Sequence, residues 1–372
     1  MGARTRGIAN NILSDGLDAT DGLSGALSSS NITNASVTNV TSTPSIGGGF
    51  EKVASDPPAP TEGDIWYNTT SNTVKGYVLS LTPASWASGG NMNVTRRAGG
   101  SAGTQTASVF FGGYNGSNTV NTQEHYNGTS WAGGASLNTP VFLNAGVGTA
   151  TATLTSGGYA LPGGPYGVDG IAYTAESDGS TWTTANNNPV LGYSKGAFGI
   201  QTAALVFGGN GSPTNPGTFN SSQQYDGTNW TAGGTLSNAR SSAGSGGTLT
   251  AGVTYGGSPP AIGGSTEEYN GTSWTTGGTM NAGRTSFYGN NGTQTGSLAS
   301  GGTIPPAYVN NVELYDGATW TAQPTISTAR AGNSSGDSLN GLLAGGYTGT
   351  ANTNVTEEFT GSTNVAEVKT LG

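Results

Sequence analysis

Six glycine doublets, each preceded by a short apolar run, recur at Gly112-Gly113, Gly157-Gly158, Gly208-Gly209, Gly256-Gly257, Gly301-Gly302 and Gly345-Gly346. Their first members lie 44 to 51 residues apart, and tryptophan keeps the same beat at Trp86, Trp131, Trp182, Trp230, Trp274 and Trp320. A period of this length, with one doublet and one tryptophan per unit, implies a small β-sheet in each unit and radial stacking of the units.

The fifth unit spells out the strands. Arg284 to Gly289 reads as an inner strand and Asn290-Asn291-Gly292 as a hairpin turn. Thr293 to Ser300 reads as the second strand and Val312 to Tyr315 as the third, with Asp316-Gly317 turning the chain into a fourth at Trp320. Four strands per unit match a propeller blade. The doublet is needed where the blade crowds toward the central axis and no Cβ fits. Tyrosine and tryptophan five apart, as in Tyr225/Trp230, Tyr269/Trp274 and Tyr315/Trp320, are spaced to pack between neighbouring sheets. The last unit lacks a tryptophan and Trp86 lacks a preceding doublet. The strand around Trp86 is therefore expected to complete the sixth blade and hide the edges of the ring.

Composition agrees with many short strands joined by tight turns. Of 372 residues 66 are glycine, and only 8% are charged and 33% hydrophobic. A disordered chain would be more charged and poorer in aromatics, whereas here 15 Tyr, 9 Phe and 7 Trp sit at repeating offsets. The net charge of −9, with 11 Lys and Arg in all, argues against nucleic acid as a partner. Apolar runs fall short of a membrane span, which argues against insertion. The chain has no cysteine and a single histidine, His125 beside Glu124, so no His/Cys metal set can form and no cofactor is expected. The same scarcity leaves nucleophilic catalysis without a base unless His125 serves, no Gly-x-Ser-x-Gly elbow context is visible, and the chain reads as non-enzymatic.

Three zones follow. Residues 1–55 hold small polar residues with sparse Ile, Leu and Val, too few to bury a core against the backbone entropy of ordering. They are expected to order only against other copies or a larger partner. Residues 56–80 open on Asp56-Pro57-Pro58-Ala59-Pro60, a stiff linker, and continue as a hairpin around Asn68 to Asn72. Residues 81–372 carry the repeat.

The order apolar run, Gly-Gly, Tyr, Trp, then Arg before the next inner strand resembles the kelch propeller over about three quarters of the chain. The flavour of units such as Glu267-Glu268-Tyr269-Asn270-Gly271-Thr272-Ser273-Trp274 is similar to kelch-like proteins of marine bacteriophages. The stretch Pro57 to Asn68, with Gly63-Asp64-Ile65-Trp66-Tyr67-Asn68 at its end, is similar to a hairpin common in phage tail fibres. The resemblance implies a six-bladed kelch-like β-propeller with an extended N-terminal anchoring segment, on the tail or capsid exterior of a virion. It implies a tail fibre or receptor-binding protein, or a head or neck decoration protein. Partners would be other virion proteins through residues 1–55, a host surface glycan or protein, and further copies of the chain, a trimer being favoured. A secreted glycan-active propeller enzyme is the alternative class.

Two sets of residues are candidates for binding. Arg96, Arg240, Arg284 and Arg330 each lie ten residues after a tryptophan, while Val141 and Gly192 break the rule. Two readings stay open. Each Arg bridges to the Glu of a neighbouring blade (Glu124, Glu267, Glu313 or Glu357), or the four form a cationic ring for an anionic ligand. The loops after the doublets carry aromatics, namely Tyr114, Tyr159, Tyr166, Phe219, Tyr308 and Tyr347, where a rigid propeller is expected to bind.

Overall fold

The computed structural model describes residues 51–160, 170–212, 215–259 and 263–371. They fall into two units, one of residues 51–83 with 362–371 and one of residues 84–361. All regular elements among the described residues are β-strands.

In the larger unit the repeat becomes six sheets, five of four antiparallel strands in meander order and a sixth of the same four-strand pattern with one short parallel strand added at its inner edge. The first consists of Gly100–Thr104, Ala107–Phe111, Gln123–Tyr126 and Trp131–Gly133. The others start at the inner strands Ala145–Thr149, Gly196–Ile200, Gly244–Thr248, Gly292–Thr293 and Ala331–Gly336. The fourth strand of the sixth sheet is Ser85–Ser88, paired with Asn352–Thr360 so that Trp86 faces Phe359. This is the closure that the unmatched tryptophan implied. The inner strands of the first five sheets pack on one another in sequence, and that of the sixth sheet packs on that of the first.

Second strands such as Val109-Phe110-Phe111 and Leu205-Val206-Phe207 are buried at every position, because neighbouring sheets cover both their faces. Each tryptophan of the repeat donates its indole N–H to the preceding unit: Trp131 to Thr356, Trp182 to Gln123, Trp230 to Asn186, Trp274 to Gly234, Trp320 to Thr266 and Trp86 to Pro324. A buried indole keeps its hydrogen bond in this way while its ring fills the gap between sheets. The turns into the fourth strands are fixed by Asn127, Asp178, Asp226, Asn270 and Asp316, each accepting backbone N–H groups two and three residues on.

A two-sheet period lies over the one-sheet repeat. Tyr126, Tyr225 and Tyr315, in sheets one, three and five, donate their hydroxyls to Glu358, Glu176 and Glu268 of the sheet before. Gln105, Gln201 and Gln294 of the same three sheets reach back to two backbone carbonyls of that preceding sheet.

Two expectations are corrected. Arg284 to Gly289 is not the inner strand of the fifth sheet, since Gly292–Thr293 takes that place. Tyr288–Gly289 instead runs parallel to Asn333 and Ser334 of the sixth sheet and packs against the inner strands of sheets one to four as well. The cause is an extra residue. The positive-φ glycine at the end of the inner strand comes seven residues after the Arg position in the first four sheets (Arg96 to Gly103, for example), eight in the fifth (Arg284 to Gly292) and six in the sixth (Arg330 to Gly336). The surplus of one unit fills the deficit of the next, at the centre of the ring. Glycine is required there, for a Cβ on Gly289 would stand 2.2 Å from the Ser334 carbonyl.

The second correction concerns domain limits. The repeat unit ends at residue 361, and Thr363–Thr370 pairs along its whole length with Thr73–Thr82 of the smaller unit. That unit contains the expected hairpin of Ile65–Asn68 with Thr73–Thr82, and adds Glu51–Val53 in parallel. The segment read as a linker supplies its hub. Asp56 accepts from the Trp66 indole (3.1 Å), Asn68 (2.8 Å) and Lys75 (2.8 Å). The Lys75 hydrogen bond leads in holding this carboxyl below its usual range. The anchoring role assigned to residues 1–55 falls almost wholly outside the described residues.

Candidate binding face

The four arginines of the repeat are fully buried. Arg96 pairs with Glu124 (3.1 Å), Arg240 with Glu267 (2.5 Å), Arg284 with Glu313 and Arg330 with Glu357. Each pair lies within one sheet rather than between neighbours. The guanidinium groups also take up backbone carbonyls at the end of the second strand: Phe110, Gly256, Gly301 and Gly345 for the four in turn. The second carboxylate oxygen of each Glu accepts a backbone N–H from the segment arriving from the preceding sheet, at Asn93, Ser237, Asn281 and Ser327. Buried charges persist only when paired and hydrogen-bonded in this manner. Burial draws the Arg96 pKa down to about 10 against the opposing pull of Glu124. The cationic ring for a ligand is thus corrected: these side chains are sealed inside, and each pair ties its own sheet to the segment that enters it.

Immediately after each Arg position the chain pairs with the residue following a doublet, half-buried at Arg97, Phe142, Tyr193 and Thr285 and buried at Ser241 and Ala331. Five of these contacts are Arg97 with Tyr114, Phe142 with Tyr159, Tyr193 with Asn210, Ser241 with Ser258 and Thr285 with Thr303. Ala331 with Tyr347 is the sixth. One half of this rim is aromatic and the other is small and polar.

On the aromatic half the rings touch in a continuous arc. Tyr308 meets Tyr347 with centroids 5.4 Å apart, and the Arg97 guanidinium lies 4.0 Å over Tyr347 and 5.3 Å from Tyr114. The arc continues from Tyr114 to Phe142 at 5.7 Å, to Tyr159 at 5.3 Å and to Tyr193 at 5.3 Å. All seven residues are half-buried.

Beneath the rim, Ala98, Leu143, Ser194, Ser242 and Ser286 adopt left-handed backbone, with φ between 52° and 67°. Each such residue costs on the order of 1–2 kcal/mol outside glycine. The conformation is enforced by a relay of backbone bonds from one sheet to the next: Leu143 N–H to Ala98, Ser194 to Leu143 and Ser242 to Ser194. The mouth under the arc is therefore braced. At its centre stands Tyr288, whose phenol is pushed up to about 12, chiefly by desolvation, with Tyr308 and Arg97 close enough to be felt.

Of the candidate aromatics, Tyr114, Tyr159, Tyr308 and Tyr347 are brought together. Phe219 is half-buried and makes no ring contact with the arc. Tyr166 lies outside the described residues. Arg97, Phe142, Tyr193 and Tyr288 escaped the sequence reading. Their signal was positional: the first three each follow an Arg, Val or Gly at the arginine position of the repeat. His125 is half-buried beside Gln123, and burial lowers its pKa. Among the described residues no cluster of three or more His, Cys, Asp or Glu could hold a metal, and no helix is long and apolar enough to cross a membrane.

No protein-family model matches the chain, and no curated protein matches it. Among solved structures it is similar to the one described as "Structure of YjhT", with a TM-score of 0.60 and 12% identity, over 76% of this chain and 99% of that one. At this identity the likeness speaks for the fold alone. The fold is all-β and of propeller type.

Proposed function

We propose that the larger unit is a six-bladed kelch-like β-propeller and that the protein is a non-enzymatic virion protein of a bacteriophage. In this reading it is a tail fibre or receptor-binding protein whose rim holds a glycan or protein of the host surface. The aromatic arc is the observation that carries the reading. Tyr308, Tyr347, Tyr114, Phe142, Tyr159 and Tyr193 keep aromatic surface in contact with solvent on one side of a braced mouth. Stacking would have placed such rings between the sheets had packing been their only role, as it has for the tryptophans. Residues 1–55 would fasten the protein, as a trimer, to other virion proteins.

The test is adsorption. Phage carrying Tyr114→Ala, Tyr308→Ala and Tyr347→Ala together are expected to assemble normally and to lose adsorption to the host. Assembled particles that adsorb as well as wild type would make this a head or neck decoration protein instead.

A further inference from the structure

We propose that Arg97 is an anion-binding centre and that the ligand of this face is an acidic saccharide, its ring stacked on the tyrosines and its oxyanion held by the guanidinium. The inference rests on the binding-face reading and names the ligand class within it.

Five arginines lie among the described residues. Four have a carboxylate partner, and their guanidinium groups bond the backbone around them. Arg97 alone has no ion pair, and its guanidinium makes no hydrogen bond among the described residues. It is held instead by aromatic faces, 4.0 Å over Tyr347 and 5.3 Å from Tyr114. A guanidinium held against aromatic rings, with no acceptor bonded to it among the described residues, keeps its N–H donors available. That fork matches the two oxygens of a carboxylate, sulfate or phosphate.

The surroundings suit the same ligand. The chain carries 20 Asp and Glu against 11 Lys and Arg. Yet none of the twelve rim positions is acidic: beside Arg97 they are Phe142, Tyr193, Ser241, Thr285, Ala331 and the residues paired with them. An anion arriving at Arg97 therefore meets no carboxylate at these described rim positions, on a chain whose net charge is −9. Contiguous rings on either side, from Tyr308 to Tyr193, offer stacking faces to more than one sugar. A protein partner would leave the alignment of free donors with rings unexplained, and is an outcome of the test.

The full-length protein is titrated with polygalacturonate, with the same polymer after methyl esterification, and with dextran sulfate. Esterification removes the charge and keeps the sugar backbone. Wild type is expected to bind polygalacturonate or dextran sulfate at least tenfold tighter than the ester, the preference between the two identifying the oxyanion. Arg97→Gln is expected to erase the tenfold preference, its affinities for acid and ester becoming equal, with unchanged melting. Arg97→Lys, which retains charge without the fork, falls between. Equal binding of acid and ester, an undiminished preference in Arg97→Gln, or no binding of either acidic polymer overturns the proposal. Adsorption that needs the tyrosines but not Arg97 also overturns it, and leaves the attachment reading standing.

Discussion

The second and fourth sheets solve one packing problem in opposite ways. In the fourth, Arg240 and Glu267 form a buried pair at 2.5 Å, tied to Gly256, Ser265 and Ser237. In the second, the same two positions hold Val141 and Ala175, which join Leu137, Ile171 and Tyr173 in an apolar cluster. Around the ring the two members come and go together. The pairs are Arg96/Glu124, Arg240/Glu267, Arg284/Glu313 and Arg330/Glu357, while the third sheet has Gly192 with Gln223. The joint loss has a physical reason. Either member alone would be an uncompensated charge in a dry interior, costlier than the pair or than no charge at all.

The most drastic way to break this comparison is to remove one member. Arg240→Ala or Glu267→Ala is expected to cost about 3–5 kcal/mol, read from urea unfolding. The volume-conserving double variant Arg240→Met, Glu267→Leu is expected to cost only about 1–2 kcal/mol. What remains is the Ser237 N–H left without its acceptor and the Gly256 and Ser265 carbonyls left without the guanidinium donor. A double variant as unstable as the sum of the singles would show that the two residues act independently.

The ring order, the strand around Trp86 and the Asx turns were legible because repetition puts the same residue at the same structural position six times. The arginines illustrate the limit. Their spacing identified a blade-level position, but spacing alone does not distinguish a rim from the interior one residue below it. Arg96 is sealed and Arg97 emerges, so the informative residue was the neighbour of the periodic one. The fifth unit was misread for a related reason: a single inserted residue, absorbed by the sixth unit, is invisible to a period that already varies by several residues. The two-sheet alternation of Tyr126, Tyr225 and Tyr315 with their glutamates was present in the sequence, masked by Tyr269 at the same offset in the fourth unit.

The third sheet offers a smaller, pH-dependent contrast. It lacks the Arg–Glu pair and contains Lys195, buried with the Val190 carbonyl as its acceptor and without a carboxylate among the described residues. Desolvation lowers its pKa to about 7 from 10.5. Between those values the unfolded chain binds the extra proton, so stability is expected to rise with pH across that window. Lys195→Met should flatten the rise. Urea midpoints at pH 7 and pH 9.5 decide it, and an identical rise in the variant would assign the effect to other groups.

The smallest effect concerns what joins the third sheet to the second, where neither sheet has an internal ion pair. Tyr225 donates to Glu176 at 2.8 Å, and burial, reinforced by that bond, raises the phenol's pKa. Tyr269 in the fourth sheet accepts a neutral bond from Gln224 at 2.7 Å. A hydrogen bond to a charged group contributes about 1.5–3 kcal/mol and a neutral one about 0.5–1.5 kcal/mol. Glu176 is half-buried, so its bond belongs at the lower end of the charged range. Tyr225→Phe is therefore expected to cost roughly 1.5 kcal/mol and Tyr269→Phe roughly 1 kcal/mol, with both rings still packed on their tryptophans. Placing Glu176→Gln in the Tyr225→Phe background separates the two terms, because the amide no longer needs a charge-assisted donor. If that second change is as costly as it is in the wild type, the staple between sheets two and three resides in packing rather than in the Tyr–Glu bond.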